Sequence, residues 1–273
     1  MSRNRLVLAS SAMLVAVTVF MALFAPWISP HDPDYVAIEK KLQSPDREHL
    51  LGTDHLGRDV LSRLIHGARV SLGTTFAAMG AILLIGLLVG AASGYAGGWV
   101  DSGLMRICDV FLAFPTLILV IVMVGTLGPG VFNMILAIAL SHWAWYGRIV
   151  RGLVLGLKHR EFVLAARVAG TSRTGIVVRH ILPSVIAQLA ILATLDLGHI
   201  MLHVSGLSFL GLGIQPPTSE WGAMINDARH FVRGHPELMT YPGLMIFFII
   251  TAFNLLGDAL RDSLDPGLRE GGF

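Results

Sequence analysis

Asp196, His199 and His203 stand at positions i, i+3 and i+7 of the run Leu195-Asp-Leu-Gly-His-Ile-Met-Leu-His-Val-Ser-Gly206. At about 100° per residue, a helix places all three within an arc of about 60°. Imidazole nitrogen and carboxylate oxygen suit Ni²⁺ and Cu²⁺ better than hard Mg²⁺, so such a face can contact a borderline divalent cation. Two blander roles use the same residues. Asp196 can hold the second ring nitrogen of a histidine that binds the ion, and a histidine in a membrane helix can simply hydrogen-bond a neighbouring helix. A hydrolytic role fits less well. His199-Ile-Met-Leu-His203 has zinc-protease spacing, but Ile200 stands where such an enzyme needs Glu as its general base. No phosphate-binding G-x-x-x-x-G-K-[ST] loop occurs, and the lysines are only Lys40, Lys41 and Lys158. No G-x-S-x-G turn occurs either. The sequence therefore offers a binding face without catalytic residues, and an enzyme is not expected.

The elements that carry this face are expected to be membrane helices. Of the 273 residues, 54% are apolar and 14% charged, where a soluble domain carries roughly 25% charged; mean hydropathy is +0.68. A net charge of +2 gives no basic surface for nucleic acid. One cysteine, Cys108, excludes an internal disulfide and a cysteine-rich metal site.

Apolar runs predict six spans: Leu6 to Ile28, Val70 to Val100, Val110 to Leu127, Val131 to Tyr146, Ser184 to roughly Leu210, and Pro242 to Leu256. The first follows Arg3 and Arg5 and is too long for a signal core, so it is expected to be kept. Gly86, Gly90 and Gly94 form a small-residue stripe that lets membrane helices approach. Trp143, Trp145 and Tyr146 suit a membrane interface. Between Arg148 and Arg179 lie seven Lys or Arg and one acid, Glu161, which places that segment in the cytoplasm, with both termini on the same side. The expected organisation is residues 1–28 as cytoplasmic N-terminus and first span, 29–69 as an extracytoplasmic loop, and 70–273 as a five-span core with a cytoplasmic loop at about 148–183. His31, His49, His55, His230 and His235 fall in outer loops, where solvated histidine is expected. His142, beside two tryptophans, reads as an anchor before it reads as part of a metal path. Asp109, Asp258, Arg261 and Asp262, near span ends, read as structural.

The cytoplasmic segment contains Glu161-Phe-Val-Leu-Ala165-Ala166-Arg167-Val-Ala-Gly170 and then His180-Ile-Leu-Pro183. Small Ala165 and Ala166 allow a partner surface to come close. Gly170 can end one short helix and let another begin, and Pro183 suits a helix start. The run resembles the conserved loop of ATP-binding-cassette importer permeases: Glu-Ala-Ala, three residues, Gly, nine residues, Ile-x-Leu-Pro. Leu164 and His180 depart from the common form in the way the peptide and nickel branch does. That branch is matched over nearly the whole chain, through Leu51-Gly-Thr-Asp-His-Leu-Gly-Arg-Asp59, Ser62-Arg-Leu64, Phe209-Leu-Gly-Leu-Gly213, Glu220-Trp-Gly222 and Asn254-Leu-Leu-Gly-Asp-Ala-Leu-Arg-Asp262.

The resemblance implies an all-α membrane protein of six helices in a bacterial inner membrane. It implies a second homologous permease, two cytoplasmic ATPases that carry ATP-Mg, and an extracytoplasmic solute-binding protein. Glu161, Ala165, Ala166, Arg167, Gly170, His180 and Pro183 would couple to the ATPases, and this chain would bind no cofactor. The Asp196–His203 face and Ser141-His-Trp-Ala-Trp-Tyr146 resemble the nickel permeases of the branch, those of the pair that end near Asp-Pro-Gly; a dipeptide or oligopeptide permease is the alternative. A transit site must release its ion, so His199 and His203 are expected to contact metal only transiently.

Overall fold

The computed structural model describes residues 3–264, and the side chains of residues 8–261. The Arg3, Arg5 and Asp262 side chains and the Asp265-Pro266-Gly267 ending lie outside these bounds. Among the described residues the regular structure is helical, with short 3₁₀ and π turns and one antiparallel bridge between Thr53 and Asp59 in the irregular stretch of residues 29–59. The α-helices are α1 (Arg3–Ile28), α2 (Val60–Ala96), α3 (Gly98–Leu112), α4 (Thr116–Leu127), α5 (Val131–Leu157), α6 (Glu161–Val168), α7 (Arg173–Ile176), α8 (Leu182–Phe209), α9 (Trp221–Ala228) and α10 (Glu237–Leu264).

Four helical stretches are long and apolar enough to cross a membrane by length and composition: Leu8–Ile28, Val60–Ala96, Arg173–Phe209 and Glu237–Arg261. The α3–α4 pair would make a fifth. Only 22% to 33% of each of the four stretches is buried within the chain, so most of their side chains need cover from lipid or partner helices.

Several boundaries differ from the sequence reading. The third expected span is broken: α3 and α4 meet at 86° across residues 113–115, because Pro115 supplies no amide and holds Phe114 out of helical geometry. The loop expected over residues 29–69 gives way to helix earlier, since α2 already begins at Val60. The fourth span continues past Tyr146 to Leu157, so its aromatic residues do not mark a helix end. Trp143 and Tyr146 are buried, and only Trp145 is exposed.

The chain forms two compact units. The first comprises residues 1–77, 123–135 and 194–273. Its core is organised by the Glu220-Trp221-Gly222 turn. Trp221 is fully buried and donates its indole N–H to the Leu64 carbonyl at 3.0 Å. Gly67 admits the indole: a Cβ there would lie 2.6 Å from Trp221 Cδ1. Glu220 caps α9 by accepting from the Ala223 amide at 2.8 Å, and it accepts from Ser71 Oγ at 2.9 Å.

The second unit comprises residues 78–122 and 136–193. Cys108, Trp143 and Ala144 form its buried centre, packed against Ile85, Val89, Met105 and Phe111. The glycine stripe serves as expected. A Cβ at Gly86 would lie 2.6 Å from Tyr146 Cβ, and one at Gly90 would lie 2.4 Å from the Gly147 carbonyl oxygen. Arg151 closes the same packing by a two-point contact with Asp101, at 2.5 and 2.7 Å. Arg148 pairs with Asp109, which supports a structural role for that acid.

Candidate functional site

The α8 face is set by what the opposite side of the helix buries. Leu197, Ile200, Met201 and Val204 are buried, and a Cβ at Gly198 would lie 3.1 Å from Asn254 Oδ1 on α10. That packing turns His199 outward: its side chain is 70% exposed, while Asp196 is 18% exposed. Asp196 Oδ1 lies 3.4 Å from His199 Nδ1, close enough to orient the ring. His203 Nδ1 lies 2.8 Å from the His199 carbonyl oxygen; a proton on Nδ1 makes Nε2 the basic nitrogen. An exposed imidazole on an apolar helix needs a polar path or a partner.

The α8 trio lines a face and does not converge. Residues 196 and 203 are separated by about 10 Å of helix rise. Among the described residues, the ligand atoms that gather within 4.8 Å of one another are those of His31, His49 and Asp59. His49 is therefore not a solvated loop histidine: it is 6% exposed, and its Nδ1 lies 2.9 Å from Asp59 Oδ1. His55 stacks on Phe231 with centroids 5.3 Å apart, and His235 pairs with Glu237 at 3.0 Å. His142 is half-buried on α5 in the second unit.

Helical spacing could not have signalled the His31–His49–Asp59 group, because it is assembled by an irregular loop. Nor did spacing reveal the charges beside it. Asp54 Oδ2 accepts from Arg58 Nε and Arg63 Nη1, each at 2.7 Å, although both guanidiniums are almost wholly buried. Asp227 approaches both arginines at 3.4 and 3.7 Å, and burial pushes its carboxyl up, with Arg58 opposing. The Leu51–Asp59 motif is thus a charged brace for the loop. Burial likewise pushes the Glu220 carboxyl up, against the amide and hydroxyl donors that hold it.

The segment from Glu161 to Pro183 folds as two short helices joined by a glycine turn. Gly170 has φ +82°. Its amide donates to the Arg167 carbonyl at 3.1 Å, and the Thr171 amide donates to the Ala166 carbonyl at 3.0 Å, the Schellman ending of a helix. Ser172 caps α7 by accepting from the Gly175 amide. Glu161 opens α6, and Arg167 lies in its last turn. Phe162, Leu164 and Val168 are exposed, Val168 by 90%. Arg167 also lines a cleft of about 620 Å³ with Lys158, His159 and Arg173. His180 lies in the π-helical turn Val177–Ile181 before Pro183. Pro183 has no amide for the Arg179 carbonyl, and the widened turn, with the Leu182 amide on the Val177 carbonyl, absorbs that mismatch.

Comparison with known proteins agrees with this architecture. Residues 73–270 match the family of binding-protein-dependent transport system inner membrane components. Residues 1–45 match the N-terminal TM domain of oligopeptide transport permease C. The chain is 52% identical over 255 residues to the nickel transport system permease protein NikC of Escherichia coli (strain K12), covering 93% of this chain and 92% of that one. It is 40% identical to the dipeptide transport system permease protein DppC of Alkalihalophilus pseudofirmus, over 94% and 85% of the two chains. It is 41% identical to the glutathione transport system permease protein GsiD of Escherichia coli O6:K15:H31, over 95% and 86%. The chain belongs to the inner-membrane permeases of binding-protein-dependent, ATP-binding-cassette importers, in the dipeptide, oligopeptide and nickel branch.

Proposed function

We propose that this permease carries Ni²⁺ across a bacterial inner membrane, as one of two related permeases driven by two cytoplasmic ATPases and fed by an extracytoplasmic binding protein. The observation that carries the reading is the 52% identity, over 93% of the chain, to a nickel transport permease. In this reading α1, α2, the bent α3–α4 pair, α5, α8 and α10 are six spans, with both termini in the cytoplasm. The Asp196–His199–His203 face lines the path, His199 and His203 contact the ion transiently, and His142 is a further path residue. The exposed apolar side chains of α6, together with Glu161, Ala165, Ala166, Arg167, Gly170, His180 and Pro183, couple to the ATPases, where ATP-Mg is bound and hydrolysed. Closure of the ATPases moves this segment, and the path changes sides because the two states bind the partners differently.

Uptake of radioactive nickel at low external concentration tests the path. His199→Ala with His203→Ala is predicted to reduce uptake about 10-fold or more, the scale of losing metal contacts, while the protein still inserts and assembles. Unchanged uptake would remove the α8 face from the path. A dipeptide importer is the second reading, favoured by the 40% identity to a dipeptide permease. Growth on a required dipeptide that is lost on deletion and not rescued by nickel would establish it instead.

A further inference from the structure

The loop between α1 and α2 carries a metal-ligating group that lies apart from the α8 face. His49 is 6% exposed, and its two ring nitrogens have different surroundings. Nδ1 faces Asp59 Oδ1 at 2.9 Å. The other Asp59 oxygen accepts from the Ser62 amide at 2.7 Å and from Ser62 Oγ at 2.6 Å. A carboxylate so committed acts as acceptor toward His49 and fixes the proton on Nδ1. Nε2 is then the basic nitrogen. It is buried without a hydrogen-bond partner, in a cavity of about 120 Å³ lined by His31, Glu48, Lys40, Tyr35 and Asp59 among others. An unpaired buried nitrogen loses its hydration with nothing in return, so something is expected to meet it.

Two further donors reach the same cavity. The His31 ring centroid is 4.8 Å from that of His49, and Glu48 Oε1 is 3.9 Å from His49 Nε2. His31 is tied at both ends. Its amide donates to Ser62 Oγ at 3.0 Å, and its Nε2 lies 2.9 Å from the Glu48 carbonyl oxygen. The loop is rigid where it matters: Gly57, at φ +77°, packs where a Cβ would lie 1.8 Å from the Ala37 carbonyl oxygen.

We infer that His49 Nε2 and the His31 imidazole form a binding site for a borderline divalent cation such as Ni²⁺, with Asp59 orienting His49 and the Glu48 carboxylate, 3.9 Å from His49 Nε2, closing on the ion when it binds. A histidine backed by a carboxylate is the arrangement that makes a good metal ligand, and two imidazoles with one carboxylate select Ni²⁺, Cu²⁺ or Zn²⁺ over Mg²⁺ and Ca²⁺. Asp59 itself is an orienter, since both of its oxygens are already engaged. Lys40 is the built-in opponent: its ammonium lies 2.5 Å from Glu48 Oε1 and competes with the cation for that carboxylate. The site is therefore weak and exchangeable, as a station that passes on its ion must be. Its position as an entry station rests on the proposed topology; the binding itself does not.

The test is equilibrium binding of NiCl₂ to the full chain in detergent, purified without a polyhistidine tag, in a His199→Ala, His203→Ala background. One Ni²⁺ per chain is expected. His49→Asn keeps an N–H for Asp59 and removes Nε2, and it is expected to weaken binding by about 10- to 100-fold. Lys40→Met is expected to tighten it. Glu48→Gln, at an exposed side chain, is expected to weaken it even if His49→Asn fails to fold. Absence of Ni²⁺ binding at millimolar concentration, or binding that ignores both the His49 and Glu48 changes, would overturn the proposal. Nickel uptake measured on the loop variants with His199 and His203 intact separates the two ideas, because loss of loop binding with intact uptake leaves the transport reading standing.

Discussion

Gly170 gives the sharpest test of how the proposed coupling segment works. Its φ of +82° lies in the left-handed region, and a Cβ added there would meet nothing within 4 Å. Bulk is thus not the issue within this chain; backbone conformation is. An L-residue with a Cβ pays about 1–2 kcal/mol in that region, and Asn tolerates it better than Ala. The eight-residue α6 is too short to be stable alone in water, so the penalty falls directly on the population of the docking-competent turn. At 1.4 kcal/mol per decade, Gly170→Ala should weaken association of the ATPases with the assembled permease by about 5- to 30-fold, with Gly170→Asn clearly milder. Gly170→Asp is isosteric with Asn, so any further loss reports charge at the contact. It should insert normally yet lose transport. The assay is titration of purified ATPase subunits onto permease in nanodiscs, read by binding and by ATP turnover. Equal losses for Ala and Asn would refute the backbone argument, and full association for all three would remove this turn from the coupling surface.

Three other perturbations probe the scaffold. Asp54→Ala strips the shared acceptor from Arg58 and Arg63, which are 1% and 2% exposed, and should cost about 3–5 kcal/mol. Limited trypsin digestion should then cut after Arg58 or Arg63, more slowly in Asp54→Asn, and a wild-type pattern would count against the brace. Gly90→Ala forces a Cβ to 2.4 Å from the Gly147 carbonyl oxygen and 2.6 Å from Val150 Cβ, so α2 and α5 must part at about 1–3 kcal/mol. Gly103→Ala, where a Cβ meets nothing, is the neutral-to-stabilising control in thermal unfolding. Glu220 supplies the pH test. Its raised carboxyl gives the folded chain more bound protons than the unfolded one, so its contribution is fully present below the ordinary glutamate value of 4.5 and is lost as pH rises through the folded value. Glu220→Gln removes that slope, because Ser71 Oγ can accept the amide N–H; melting curves that stay parallel across pH would contradict the assignment.

The parts of this molecule that were legible in its sequence are those in which a regular helix turns spacing into geometry. Asp196, His199 and His203 share a face because α8 is continuous through all three, and the glycine stripe meets α5 because four-residue spacing returns to one side of α2. The helix turn at Gly170 was readable for a related reason: a single residue type permits that φ. Where the backbone leaves regular geometry, the pattern fails. Pro115 splits an apolar run whose hydropathy alone reads as one span. Trp143 and Tyr146 look like interfacial anchors by type, yet Gly86 and Phe111 give them a packed interior. His49, ten positions before Asp59 in a polar loop, reads as solvated because nothing in that spacing says that Gly57 and the Asp54–Arg58–Arg63 brace fold the loop back on itself. Composition in that loop is that of any outer segment, whereas its buried ion pairs and oriented imidazole are those of an interior. A loop that packs against two buried arginines, its own Arg58 and Arg63 of α2, must be held closed by paired charge, and that closure holds the chain around His49 in place.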